Sequence, residues 1–252
     1  MDLGIAGKCA LVIGASRGIG RASALGLAKA GARVIAVARS ANDIATLVRE
    51  IGGSKKGHVG IVKDLCTEGA PRELYEEIQK QDRRVDIVVY SIGGTLGVRN
   101  TFFSIEEWRK VSRTNFEVVV ELNHYLVPLM QERKWGRVVH VSSIAAKIAR
   151  GSNAYVAAKS ALNAYTRNLG CAVAQDGVVV TAVMPGAVRF KNNIWDRLST
   201  DSPDQAHSYL NERMAIKRFA NPDEIANLIV FLCSENASFL TGCILPIDGG
   251  TS

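Results

Sequence analysis

Tyr155 and Lys159, in the run S-N-A-Y-V-A-A-K, stand four residues apart, so on a helix they share one face about one turn from each other. A free tyrosine titrates near ~10 and is a poor acid–base group at neutral pH. A neighbouring ammonium favours the phenolate. Moving the pKa by ~3 units takes roughly 4 kcal/mol of differential interaction, within reach of a close, partly desolvated cation. Upstream, in V-V-H-V-S-S, Ser142 and Ser143 follow an apolar run that reads as a strand, and a hydroxyl at its end could hold a reacting oxygen. The chemistry these residues suit is proton transfer to or from an oxygen atom. Ordinary helices also carry tyrosine and lysine at this spacing, so the pair alone does not decide.

A second constellation lies near the N-terminus, in L-V-I-G-A-S-R-G-I-G-R-A. Gly14, Gly18 and Gly20 follow an apolar strand-like run and open a helical pattern. Such a turn lets backbone approach a pyrophosphate, whose charge the helix N-terminus favours. The spacing is G-x-x-x-G-x-G, not the commoner dinucleotide fingerprint.

Together with Tyr-x-x-x-Lys and the upstream serine, this spacing resembles the short-chain dehydrogenase/reductase family, from Lys8 to the P-I-D-G-G near the C-terminus. The segment R-F-A-N-P-D-E-I-A and the ending L-P-I-D-G-G are similar to the branch that contains 3-oxoacyl-carrier-protein reductases. The resemblance implies an α/β fold: one doubly wound (Rossmann) domain over residues 1–252, with a seven-stranded parallel sheet and helices on both faces. It implies an enzyme that exchanges hydride between NADP(H) and a small-molecule carbonyl or alcohol. Reduction of a ketone, a 3-oxoacyl thioester first, is the expected direction. The alternatives are an alcohol, sugar or steroid dehydrogenase working oxidatively, and a non-catalytic NADP(H) sensor. Sensors of this kind usually lose the tyrosine or lysine, and both are present.

The resemblance makes Tyr155 the general acid–base and gives Lys159 two jobs, lowering the tyrosine pKa and holding the nicotinamide ribose hydroxyls. Asn115, in R-T-N-F, matches the asparagine that aligns a relay water with the lysine. Counting from Gly136 along the strand selects Ser143 as the catalytic serine, whereas counting back from Tyr155 selects Ser142; the strand count is preferred, because a sheet fixes geometry and a loop can lose a residue. Gly14, Ser16, Arg17, Gly18, Ile19 and Gly20 would hold the diphosphate. Asp64 and Leu65 would pack around the adenine, and Gly93, Pro185, Gly186 and Val188 would meet the nicotinamide side. At the end of the second strand the acid expected for NAD is replaced by Ala38, followed by Arg39. With Arg17 near the same corner, two guanidiniums and no carboxylate suit a 2′-phosphate. Two departures stand out: the usual N-N-A-G reads Tyr90-Ser91-Ile92-Gly93, and a threonine expected after Pro185-Gly186 is Phe190.

Composition bounds the rest. At 252 residues with 47% hydrophobic content, the chain can bury a large core. Lysine and arginine number 31 against 24 acids, a formal +7, but the charges are scattered, which argues against nucleic acid and suits an acidic cofactor or substrate. The five cysteines are dispersed and lack metal-ligand spacing, so they read as reduced thiols, most of them buried, in a cytoplasmic protein with no metal site. No run approaches the ~20 apolar residues of a membrane span.

The elements that must position these residues alternate. Strands are expected at Cys9–Ile13, Arg33–Ala38, His58–Val62, Asp86–Tyr90, Arg137–Val141, Val178–Val183 and Ile244–Ile247. Helices are expected at Gly18–Ala30, Asn42–Ile51, Pro71–Gln81, Ile105–Arg133, Ser152–Gln175 and Pro222–Ser234, the last capped by Asn221 with Glu224 at its third position. The polar segment 187–215 interrupts the alternation and reads as a substrate lid. Apolar residues on several faces of the two longest helices, Val118, Val119, Val120, Leu162, Ala164, Tyr165 and Leu169 among them, point to a homotetramer.

Overall fold

The structure is a computed structural model that describes residues 2–251 apart from 82, 99 and 150. Short β-branched runs form seven strands: β1 (Cys9–Ile13), β2 (Arg33–Ala38), β3 (Val59–Val62), β4 (Ile87–Tyr90), β5 (Gly136–Val141), β6 (Val178–Pro185) and β7 (Ile244–Ile247). They make one all-parallel sheet in the order β3-β2-β1-β4-β5-β6-β7. Between them run α1 (Gly18–Lys29), α2 (Ala41–Glu50), α3 (Ala70–Lys80), α4 (Ile105–Ser112), α5 (Val118–Glu132), α6 (Ala145–Ile148), α7 (Asn153–Val173), α8 (Ile194–Asp201), α9 (Pro203–Arg213) and α10 (Pro222–Leu232).

Alternate side chains along each central strand enter separate cores on the two faces of the sheet. Ala10, Val12 and Val34 pack with Leu27, Leu47 and Ile229 of α1, α2 and α10. On the other face, Leu11, Ile35 and Val88 pack with Leu74, Leu122 and Leu162 of α3, α5 and α7. The order in which strands are added reverses between β1 and β4, which opens a crevice at the strands' carboxyl ends.

The expected elements are present, with instructive differences. β3 starts after His58, because the His58 ring rather than its backbone takes the Val34 N–H, at 3.0 Å. β6 runs on to Pro185, since Met184 and Pro185 pair with Pro246 and Ile247. The expected Ile105–Arg133 helix is broken by a π-helical turn over Arg113–Glu117. Asn221 and Glu224 form a reciprocal capping box at the start of α10. The expectation that most cysteines are buried does not hold: Cys9 and Cys233 are, Cys66 and Cys243 are half-buried, and Cys171 is exposed on the outer side of α7. Val118, Val119 and Leu162 are likewise spent on this chain's own core, leaving Val120, Ala164, Tyr165 and Leu169 only partly covered or exposed.

Candidate active site

The crevice holds a cavity of about 1330 Å³ that runs from Arg39 at one end to Ser143 and Tyr155 at the other. Its floor is the glycine turn. Gly14 takes φ +81°, in the left-handed region, and its N–H donates to Val37 O at 2.8 Å. A Cβ at Gly20 would lie 2.2 Å from Gly14 O, so only glycine lets α1 begin so close to β1. Arg17 is the N-cap of α1, and the first turn carries no acid, which leaves the helix N-terminus attractive to an anion. A pyrophosphate fits this cradle. The Phe190 ring, standing where the resemblance leads one to expect threonine, rests on Gly18, and a Cβ there would come within 2.8 Å of it.

At the cavity's far end Arg39 pairs with Asp64 at 3.7 Å, both side chains well exposed. Ion pairs of that kind contribute little, so the guanidinium is available to a stronger anion such as a phosphate. Asp64 also accepts the Cys66 N–H at 3.0 Å, which shapes the turn beside Leu65. The expectation of a corner without carboxylates needs correction, because Asp43 and Asp64 both line it. They arrive from α2 and from the turn after β3, where a count along the second strand does not see them.

At the near end, α7 places Tyr155 and Lys159 on its buried side, with the Lys159 Nζ 5.9 Å from the centre of the Tyr155 ring. Lys159 is 2% exposed and donates to Val141 O at 2.8 Å and Ile92 O at 3.4 Å. Burial pushes its pKa from the ordinary 10.5 down to about 7. Burial also pushes the Tyr155 phenol up, opposed by a hydrogen bond from Ser143. The sequence-based expectation that the lysine lowers the tyrosine pKa is thus reversed. A desolvated phenol keeps its proton, and a lysine about 7 in pKa carries only part of a charge at neutral pH.

The two serines separate cleanly. Ser142 is buried and its hydroxyl turns to Lys159 O at 3.4 Å, whereas the Ser143 hydroxyl accepts the Ala145 N–H at 3.1 Å and lines the cavity with Tyr155. Ser143→Ala should therefore cut turnover far more than Ser142→Ala, by about tenfold or more. Steady-state rates for the two variants check this, and the reverse order would move the role to Ser142.

Asn115 sits in the π-turn with no exposed surface. Its amide donates to Val111 O at 2.8 Å and Gly94 O at 2.9 Å, and its oxygen accepts the Gly94 N–H at 2.9 Å. The widened turn points Asn115 inward, pinning the loop that follows β4; π-turns of this kind concentrate at functional sites. A Cβ on Gly93 would lie 2.5 Å from Asn115 Oδ1 and 2.9 Å from Lys159 Nζ, so glycine lets all three converge. Pro185 and Gly186 end β6 against the cavity, and Val188 is held by a parallel bridge to Ala220. Ser91 and Ile92, marked in the sequence only as a departure from N-N-A-G, complete the wall with Gly94, which the sequence reading did not name. Their place directly after β4, at the point where strand order reverses, was the available signal.

The site's parts, a dinucleotide cradle beside a serine, tyrosine and lysine set, define an oxidoreductase. A family model described as enoyl-(acyl carrier protein) reductase matches residues 14–252. The 3-oxoacyl-(acyl-carrier-protein) reductase of Aquifex aeolicus is 32% identical over 253 residues, covering 99% of each chain. The Escherichia coli protein of the same name is 33% identical over 245 residues, 97% of each. Among solved structures, L-sorbose reductase from Gluconobacter frateurii, complexed with NADPH and L-sorbose, superposes with a TM-score of 0.91 at 31% identity, covering 100% of this chain and 98% of that one. A 3-oxoacyl (acyl-carrier-protein) reductase from Agrobacterium tumefaciens with NADP bound gives 0.90 at 30% identity, covering 99% and 96%. This chain belongs to the short-chain dehydrogenase/reductase family.

Proposed function

We propose that this protein is an NADPH-dependent reductase that converts a ketone to a secondary alcohol, with a 3-oxoacyl thioester as the first substrate to try. The observation that carries the reading is the convergence of Ser143, Tyr155 and Lys159 on one end of a cleft whose other end is lined by Arg17 and Arg39. NADPH, when bound, supplies the hydride that the carbonyl carbon receives. Ser16, Arg17, Gly18, Ile19 and Gly20 would hold its diphosphate, Asp64 and Leu65 its adenine, and Gly93, Pro185, Gly186 and Val188 its nicotinamide side. The Ser143 and Tyr155 hydroxyls would hold the carbonyl oxygen, and Tyr155 would pass its proton to that oxygen. Lys159, beside Ile92 O and the Tyr155 ring, would bind ribose hydroxyls and restore the tyrosine's proton, with Asn115 aligning the water that relays the proton to the lysine. A panel of ketones and alcohols followed by nicotinamide absorbance with both cofactors tests the reading. Absence of turnover on every ketone would refute it.

NADPH is the expected cofactor because two guanidiniums face the ribose corner. Arg39→Ala should raise the apparent affinity constant for NADPH at least about tenfold while leaving that for NADH unchanged, since one charge-assisted contact contributes roughly 1.5–3 kcal/mol. Equal use of the two cofactors by the unmodified protein would overturn this choice.

The lid is read from residues 191–214. Helix α8 has no buried residue and α9 has only Ala206, so little holds them to the body. The Trp195 ring packs at a tilt against Tyr209 at 4.4 Å, which makes the two helices one unit, and against Phe219 at 5.5 Å. Val188–Ala220 and Met214–Thr251 bridges anchor its ends, and closure about those ends would exclude water from the reacting atoms.

Operation as a cytoplasmic homotetramer with two-fold axes completes the proposal. Among the described residues no helix is long and apolar enough to cross a membrane. The edge strand β7 is only partly covered, Phe239 beside it is fully exposed, and Ala164 is exposed on the outer face of α7. Light scattering at micromolar concentration should return four chains, and a monomer would defeat the assembly.

A further inference from the structure

Behind the reacting residues lies a buried polar chain that the reaction does not itself use. Tyr90 on β4, Asn123 on α5, His140 on β5 and Thr166 on α7 are each at most 2% exposed. The Tyr90 hydroxyl donates to Asn123 Oδ1 at 2.8 Å, Asn123 Nδ2 meets His140 Nε2 at 3.2 Å, and His140 Nδ1 meets Thr166 Oγ1 at 2.8 Å. The Thr166 hydroxyl donates its proton to Leu162 O at 2.7 Å, so towards the imidazole it can only accept. Nδ1 must therefore carry the ring proton and Nε2 must be bare, accepting from the Asn123 amide. One proton arrangement satisfies these four bonds.

The elements joined are the ones that carry the chemistry. His140 lies two residues before Ser142 and three before Ser143 on β5. Thr166 lies seven residues, two helical turns, beyond Lys159 on the same face of α7. Ser142 to Lys159 O, and Lys159 to Val141 O, make two further rungs between that strand and that helix. Tyr90 stands where the family resemblance leads one to expect an asparagine, and its longer side chain reaches across to α5. Apolar packing alone tolerates small slips of a helix on a sheet. A displaced polar rung leaves buried donors and acceptors unpaired, so this network admits one setting.

We propose that His140 is a positioning residue: held as its Nδ1–H tautomer between Asn123 and Thr166, it sets the register of α7 on β5 and so the placement of Tyr155 and Lys159 against Ser143. The proposal rests on the acid–base reading of Tyr155 for its effect on rate, but not for its effect on geometry. Burial and the Lys159 charge push the His140 pKa down to about 3, which keeps the ring neutral through the working range. The titratable groups that face the ring are Lys159 and Tyr165 from α7 and Tyr90 from β4; α5 contributes the neutral Asn123, and the paired residue on β6 is Ala182.

Thr166→Val keeps the side-chain shape and removes the acceptor, while Thr166→Ser keeps the hydroxyl, and neither touches substrate or cofactor. Heteronuclear NMR of the imidazole nitrogens should show the Nδ1–H tautomer without titration from about pH 5 to 9. Thr166→Val should lower kcat about tenfold with KM for NADPH within about twofold, and Thr166→Ser should restore it. The ring-carbon resonance of Tyr155, assigned through Tyr155→Phe, should shift in Thr166→Val and return in Thr166→Ser. An Nε2–H or titrating ring, an unmoved Tyr155 resonance in Thr166→Val, or equal losses in both variants would overturn the proposal. A wild-type protein inactive on every ketone would sink the catalytic reading alone, and the Tyr155 resonance would still decide the positioning.

Discussion

Tyr155→Phe is expected to bind NADPH nearly as the wild type does and to lose turnover by about 10² or more. The substitution removes one hydroxyl and keeps the ring that packs beside Val98, Val111 and Ala154, so the fold and the cleft survive it. What disappears is the hydroxyl that lines the cavity together with Ser143. Burial holds the phenol pKa above its ordinary value, so at neutral pH the proton is in place. An acid loaded in this way suits reduction, where the carbonyl oxygen must receive a proton. The oxidative direction needs the phenolate, so its rate should climb as pH rises while the reductive rate stays flat through neutrality. Cofactor fluorescence titration and steady-state rates measured on the same preparation separate binding from chemistry. Near-normal activity in the phenylalanine protein would remove Tyr155 from the mechanism.

The parts of this molecule legible in the sequence are those set by local rules. Strand positions follow from short β-branched runs bounded by glycine, the N-terminus of α10 from Asn221, Pro222 and Glu224, and the cradle from the spacing of Gly14, Gly18 and Gly20. Tyr155 and Lys159 were legible because helical periodicity alone puts them on one face. The π-turn at Asn115 was not, since its five residues have unremarkable helix propensities and widen only because Asn115 is bonded to Gly94, twenty-one positions earlier. The direction of the Tyr155 pKa was misread for a related reason. Proximity of a lysine is visible in a sequence, whereas desolvation depends on everything that packs around both groups. The Tyr90–Asn123–His140–Thr166 chain was invisible for the same cause, because four elements far apart in sequence meet only in the folded core.

Lys159→Met should abolish turnover, by about 10² or more, and yet make the protein more stable at neutral pH. The ammonium is buried, and its hydrogen bonds go to two carbonyl oxygens, Val141 O and Ile92 O. Its folded-state pKa of about 7 lies below the ordinary 10.5. Between those values the unfolded chain binds more protons than the folded one, so folding becomes more favourable as pH rises across that window. Near neutrality the wild type therefore carries most of the penalty, roughly 5 kcal/mol at the upper bound. Methionine removes it but leaves the two carbonyls without their donor, at about 1–3 kcal/mol each. With each carbonyl costing about 1–2 kcal/mol, the lower part of that range, the balance favours methionine by about 1–3 kcal/mol near pH 7, a Tm rise of several degrees for a chain of this length. By about pH 10 the lysine penalty has largely gone, and the unpaired carbonyls should reverse the order. Tyr90, Tyr155 and Tyr165 all have raised pKa values, so their contribution is lost only as pH climbs beyond the ordinary tyrosine range, and it is common to both proteins. Thermal unfolding of the pair at neutral and alkaline pH measures the difference directly. A methionine protein that is less stable at pH 7, by an amount that does not change with pH, would mean that Lys159 carries no desolvation penalty and that function at this position was obtained without a cost in stability.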